Sequence, residues 1–181
     1  MAGRGGGYGT TARTLHWLVA LLLLAMIPVG LIMTGEGIGR ALQDRLFIFH
    51  KNVGSLLIAI VALRVVWRLT HPAPPLPASV GAWQRRAAGL SHLALYGLMI
   101  VMPLSGYVRV RAGGFPIEAL DALGLPALVP RSEALADAAS ALHQAAGWAL
   151  VAVLALHLAA ALHHGLILRD GIWSRIWPLR G

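Results

Sequence analysis

The sequence predicts an all-α fold, a transmembrane four-helix bundle, on three observations. The first is composition. The chain has 181 residues, 57% hydrophobic and 12% charged, where an ordinary soluble domain is about 45–50% apolar and about 25% charged. A chain this short cannot hide so much apolar surface from water. The second is that four stretches, and no others, reach the length of about 20 mostly apolar residues that a membrane helix needs. The third is the net charge of +8, which is distributed unevenly between the connections as membrane topology demands. The same composition excludes disorder. The absence of cysteine excludes disulfides, cysteine-bound zinc, iron–sulfur clusters and covalently attached c-type haem. A basic balance on so apolar a chain points to a bilayer and not to nucleic acid.

The Gly-rich start, residues 1–12, is expected to be a flexible N-terminus ahead of a single four-helix domain over 13–178. The first span is Leu15–Met33, without a charge. It exceeds a signal-peptide core and no small-residue cleavage site follows, so it is read as a helix. The second, 46–69, is charged only at Lys51, Arg64 and Arg68, and the third, 90–108, is uncharged. The fourth, 138–168, is long enough to span with tilt. Pro28 and Pro103 are expected to kink their helices. Residues 70–89 contain His71-Pro-Ala-Pro-Pro-Leu-Pro77, which cannot continue a helix and reads as a stiff bridge. The longest connection, 109–137, is expected to carry a short surface helix around Ile117–Leu123. The tryptophans 17, 67, 83, 148, 173 and 177 lie mostly near span ends, as interfacial belts do.

Four spans put both termini on one side. That side holds Arg4, Arg13, Arg64, Arg68, Arg85, Arg86, Arg169, Arg175 and Arg180 against Asp170 alone, while the other acids lie opposite. The termini are therefore expected in the cytoplasm.

Ionisable groups inside a bilayer are expensive and mark function. By depth, His50 and His143 fall near the outer face and His16 and His157 near the inner one. His143 and His157 are separated by about 21 Å of rise and four turns less about 40°, so they share a helix face. Two histidine pairs stacked along the membrane normal result, His50/His143 and His16/His157. The residue four positions on is small after each of the four: Ala20, Gly54, Gly147 and Ala161. That leaves room for a macrocycle lying against the helix. His92, His163 and His164 are followed at that step by Tyr96, Ile167 and Leu168. Bare imidazole pairs in apolar surroundings suit haem iron with both axial positions filled, and without cysteine the haem is b-type. Arg64 and Arg13 are candidate inner haem contacts. Lys51 and Arg45 are the outer ones, and Gly54 and Gly147 are close-approach positions. His163 and His164 are candidates for a quinone site. His92 is expected to be a second group beside the ligands, and His71 is unassigned. No catalytic residue stands out. A haem-free metal or proton transporter lined by histidines is the alternative, disfavoured by the lack of carboxylates within the spans.

In its ordered elements the chain resembles the bacterial cytochrome b561 family. These are His16-Trp17, His50 with Gly54, Arg64 with Arg68, the Pro72–Pro77 bridge, His92 with Tyr96, Pro103 with Gly106, His143 with His157, and the ending His163-His164 followed by Asp170. The resemblance runs from about Thr11 to Pro178. It implies four membrane helices, two b haems on His16, His50, His143 and His157, and electron transfer involving ubiquinone. Some members are similar to a superoxide oxidase that takes electrons from superoxide outside. Others serve as the cytochrome subunit of a dehydrogenase partner. For superoxide, Arg45, Lys51, Arg109 and Arg111 are the outer cations expected to steer the anion.

Overall fold

The computed structural model describes residues 7–177. Among them the helices run α1 (Thr10–Met33), α2 (Arg40–Thr70), α3 (Ala82–Ala112), α4 (Glu118–Ala122) and α5 (Glu133–Leu162), and there is no strand. A π-helical turn (His163–Leu168) extends α5 and a short 3₁₀ turn (Trp173–Arg175) follows. Four of these helices are long and apolar enough to cross a membrane, the fourth running Glu133–Leu168. Each begins before its apolar core does, because a helix extends into the headgroup layer where its first polar residues are solvated. The first helix accordingly starts at Thr10, inside the stretch expected to be flexible. Of that stretch, residues 1–6 lie outside the described residues, while the Tyr8 N–H donates to the Arg175 carbonyl at 3.1 Å. Pro28 and Pro103 both sit within continuous helices.

Chain breaks follow local chemistry. Helix α2 ends at His71 because Pro72 disfavours helical geometry in the residue before it. Helix α3 ends at a Gly113-Gly114 pair, and Gly114 takes φ +79°, which a side chain would strain. Ser132 caps α5 by accepting from the Leu135 N–H at 3.3 Å.

Helix α1 packs on α2, α2 on α3 and α3 most extensively on α5, whereas α5 stands off from α1 and α2. The buried centre joins all four long helices through Val19, Leu23, Met26, Leu57, Val61, Leu95, Met99 and Leu150. In a bilayer such contacts stabilise through close packing, since lipid tails are as apolar as leucine.

At the end away from the termini, α4 is clasped onto the bundle. Lys51 Nζ donates to Glu118 Oε1 at 2.7 Å and to the Pro116 carbonyl at 2.8 Å. Asn52 donates to Glu118 Oε2 at 2.8 Å and accepts from the Ala119 N–H at 2.7 Å. Arg111 Nη2 donates to Asp121 Oδ1 at 2.6 Å, and Asp121 Oδ2 accepts from the Ile117 N–H at 3.1 Å. Ile117 itself is 1% exposed and works as a plug.

Partial burial pushes the Glu118 carboxyl up, but the Lys51 and Asn52 bonds outweigh it and hold it below the ordinary carboxylate range. The Arg111 bond does the same for Asp121. A carboxylate depressed in the folded state contributes stability above its unfolded pKa and loses it as pH falls through the folded one. Amide hydrogen exchange at Ile117 and Ala119 is therefore expected to be slow at neutral pH. The protection factors of these amides, relative to the intrinsic rate at each pH, should fall as pH drops below about 4, the ordinary carboxylate pKa, while the long helices stay protected.

Candidate functional site

Each long helix carries a chemistry-bearing residue, then a buried apolar one seven positions on, then a third seven further. These are His16, Leu23 and Gly30 on α1, His50, Leu57 and Arg64 on α2, His92, Met99 and Gly106 on α3, and His143, Leu150 and His157 on α5. Seven residues turn a straight helix by two turns less about 20°, so each triplet lies on one face. Because the helices alternate in direction, the triplets stack into three layers. The terminal layer, at the end bearing the chain termini, holds His16, Arg64, His92 and His157. The distal layer holds Gly30, His50, Gly106 and His143. Between them lie Leu23, Leu57, Met99 and Leu150, all in the buried core.

In the distal layer the rings of His50 and His143 face each other with centroids 6.4 Å apart and planes at 80°. In the terminal layer His16 and His157 stand 6.5 Å apart at 54°. Both pairs bridge the seam where α5 stands off from α1 and α2. Two imidazoles bound end-on to one metal, each at about 2.0–2.1 Å from nitrogen to metal, place their ring centres roughly 6 Å apart. The spacing and the donor set in both layers therefore fit an iron held between two histidines.

The surroundings fit a large planar cofactor as well. A cavity of about 1460 Å³ is lined by His50, His143, Gly54, Gly147 and Arg109, beyond the roughly 300–1000 Å³ of an ordinary small-molecule site. A methyl at Gly54 or Gly147 would meet only the tip of Met26 or Met102, each at 3.7 Å, and such flexible tips give way readily. His143 Nδ1 lies 2.9 Å from the Met102 carbonyl. A carbonyl only accepts, so Nδ1 carries the proton and Nε2 keeps its lone pair. The hydroxyl of Ser105 lies 3.1 Å from the same Nδ1.

One arginine accompanies each pair. The Arg64 Nη2 donates to His16 Nδ1 at 3.1 Å and its guanidinium sits 5.5 Å from the Tyr96 ring centre. Arg109 lines the distal cavity together with His50 and His143. Among the described residues neither arginine has a carboxylate at ion-pair distance. Arg109 is a site residue that sequence reasoning treated only as a steering charge. Its signal was the step of three from Gly106, which places it one turn beyond the distal layer. Lys51 lines the cavity, but its ammonium is engaged by Glu118, and Arg111 by Asp121.

Arg13 Nη1 donates to the Trp177 carbonyl at 3.3 Å. His92 lies against His157, ring centres 5.6 Å apart. His71 stacks on Trp67 at 3.8 Å, outside both layers. His164 occupies the π-helical turn, one further seven-residue step from His157, and its Nδ1 is 2.5 Å from Asp170 Oδ2. His163 is exposed beside it, with ring centres 6.0 Å apart.

A membrane bundle with histidines paired across its interior at two depths, each beside an unneutralised arginine, defines an integral membrane protein built to hold a cofactor. The profile of the family described as prokaryotic cytochrome b561 matches residues 7–179. "Cytochrome b561 homolog 2" of Escherichia coli (strain K12) is 35% identical over 93% of this chain and 90% of its own length. "Probable superoxide oxidase CybB" of Yersinia pestis is 28% identical over 91% and 92%. "Cytochrome b561 homolog 1" of the same E. coli strain is 27% identical over 96% and 98%. The chain belongs to the prokaryotic cytochrome b561 family. It is a membrane electron carrier, and the family implies b-type haem.

Partial burial pushes the Asp170 carboxyl up, but the bonds from His164 and the Ile172 N–H hold it below its ordinary range. A hydrogen bond to a charged group is worth about 1.5–3 kcal/mol. Asp170→Ala is therefore expected to lower the thermal stability of the detergent-solubilised protein. Asp170→Asn, which keeps an acceptor for the Ile172 N–H, should lower it less.

Proposed function

We propose that this chain is a dihaem b cytochrome of the bacterial inner membrane, with both termini in the cytoplasm, that carries electrons between an outer donor and ubiquinone. The observation that carries it is the pair of histidine couples, 6.4 and 6.5 Å between ring centres, one in each polar layer. His50 and His143 would ligate the outer iron, and His16 and His157 the inner one. Bound haem supplies one-electron redox chemistry.

The protein's own residues hold, neutralise and insulate. His143 is fixed in the ligating tautomer by the Met102 carbonyl. Arg64 and Arg109, with no carboxylate at ion-pair distance among the described residues, would be the cations for haem propionates. Pairing with one would release His16 Nδ1 from Arg64, and that nitrogen would then carry the proton that ligation through Nε2 requires. The layer of Leu23, Leu57, Met99 and Leu150 keeps water and side-chain charge from linking the two sites. Superoxide as the outer donor is supported by the name of the Yersinia pestis relative. Arg45 would then be the steering charge, since Lys51 and Arg111 are neutralised by α4 and Arg109 by the propionate. His163 and His164 are the quinone candidates at the cytoplasmic end. Asp170 orients His164 through Nδ1, and the Nε2–H of a doubly protonated His164 ring would be the group that hands a proton to a reduced quinone oxygen.

Reduced-minus-oxidised spectra with haem quantified per chain test this reading. Two b haems are expected in the detergent-purified protein, and a chain that stays colourless when supplied with haem would sink it. His50→Ala and His143→Ala should each lose one haem and retain the other, while His92→Ala should retain both. Loss of a haem from His92→Ala would mean that His92, and not its neighbour, is the ligand.

A further inference from the structure

The residues behind the paired histidines differ between the layers. In the terminal layer, side chains stand there: Arg64 of α2 against His16, and His92 of α3 against His157. In the distal layer the equivalent seven-residue positions are glycines. A methyl at Gly30 of α1 would lie 3.1 Å from His50 Cε1. A methyl at Gly106 of α3 would lie 3.1 Å from His143 Cε1 and 3.3 Å from its Nδ1. Both approaches are to the face of a helix packed against the one that carries the histidine. No other described glycine on a long helix comes so close to a histidine.

The two histidines rely on their glycines to different degrees. His143 is also anchored through Nδ1 to the Met102 carbonyl. His50 Nδ1 is buried without a hydrogen-bond partner among the described residues. Its ring plane is thus set by shape alone, by the flat backbone it meets at Gly30.

Resting on the two-haem reading, we propose that Gly30 and Gly106 are positioning residues, slots that lock the outer axial imidazoles near perpendicular. The angle is 80° against 54° in the terminal pair. Ring planes that approach perpendicular give low-spin ferric haem a larger g anisotropy than planes that approach parallel, so the slots have a spectroscopic signature. A side chain in either slot turns or displaces its ring. His50, with no hydrogen bond to lose, rotates and keeps its haem. His143 must surrender the Met102 bond, so Gly106→Ala weakens retention of the haem.

The test is electron paramagnetic resonance and haem content of the purified holoprotein carrying Gly30→Ala, Gly106→Ala or Gly97→Ala. Gly97 is a helical glycine of α3 where a methyl meets nothing within 4 Å. Gly30→Ala should retain two haems and shift the largest g value of one signal, leaving the other unmoved. Gly106→Ala should lose part of that same haem. Gly97→Ala should change neither. Unmoved signals and full haem content in both slot variants would overturn the proposal. Parallel loss of both haems would also overturn it, since that marks a role in helix packing alone. A wild-type protein with fewer than two haems would instead overturn the two-site reading, and the slots with it.

Discussion

Hydrocarbon cannot solvate an imidazole or a guanidinium, and everything inside this bundle is arranged around that fact. A polar group at membrane depth must find its partners within the protein. Each long helix therefore turns its polar residues to one face, and the seven-residue step keeps that face aligned over the bilayer's thickness. The two polar layers gather the paired histidines of the interior, and the apolar layer between them lies in the buried core. Leu57 stands seven residues from both His50 and Arg64, and Leu150 stands seven from both His143 and His157. The insulation and the sites are thus specified by the same repeat.

The bundle is unevenly closed. Helices α3 and α5 are packed closely along their length, while the seam between α5 and the first two helices is held open, with histidines on its walls. Such a seam is costly to maintain in a protein whose helices associate by contact. The clasp of α4 onto Lys51, Asn52 and Arg111 ties α2 to α3 at the distal end. The stiff bridge, Tyr8 and the turn after α5 do the equivalent at the other end. The framework is therefore rigid around a space left for something else, as a cofactor site requires.

The four spans and the histidine pairing were legible because both rest on periodicity and depth, which a sequence displays directly. The short helix α4 was legible from its apolar and acidic alternation between turn residues. Helix ends were displaced by several residues, since solvated first turns carry no hydropathy signal. The partners of Lys51 and Arg111 were not legible. They depend on α4 folding back onto α2 and α3, and no local pattern encodes that return. Gly30 and Gly106 were visible as glycines in apolar helices but not as neighbours of histidines. Which residue a close approach serves is decided by the partner helix. The layers themselves were readable in principle, because His92, Met99 and Gly106 repeat the same step as His143, Leu150 and His157.

The segment after the fourth membrane helix reaches back to the first. The indole of Trp17 donates to the Ile176 carbonyl at 2.8 Å, and Trp17 and Trp177 meet edge to face at 5.5 Å. Arg175 donates to the carbonyls of Pro74 and Pro75, at 2.8 and 3.0 Å. Residues 172–177 thus rivet the start of the first span to the bridge between the second and third. This sets an order of assembly in the membrane. The Trp17 indole and the Pro74 and Pro75 carbonyls meet these partners only once the last span has crossed and its tail has returned. The terminal end of the seam is thus the last part to close.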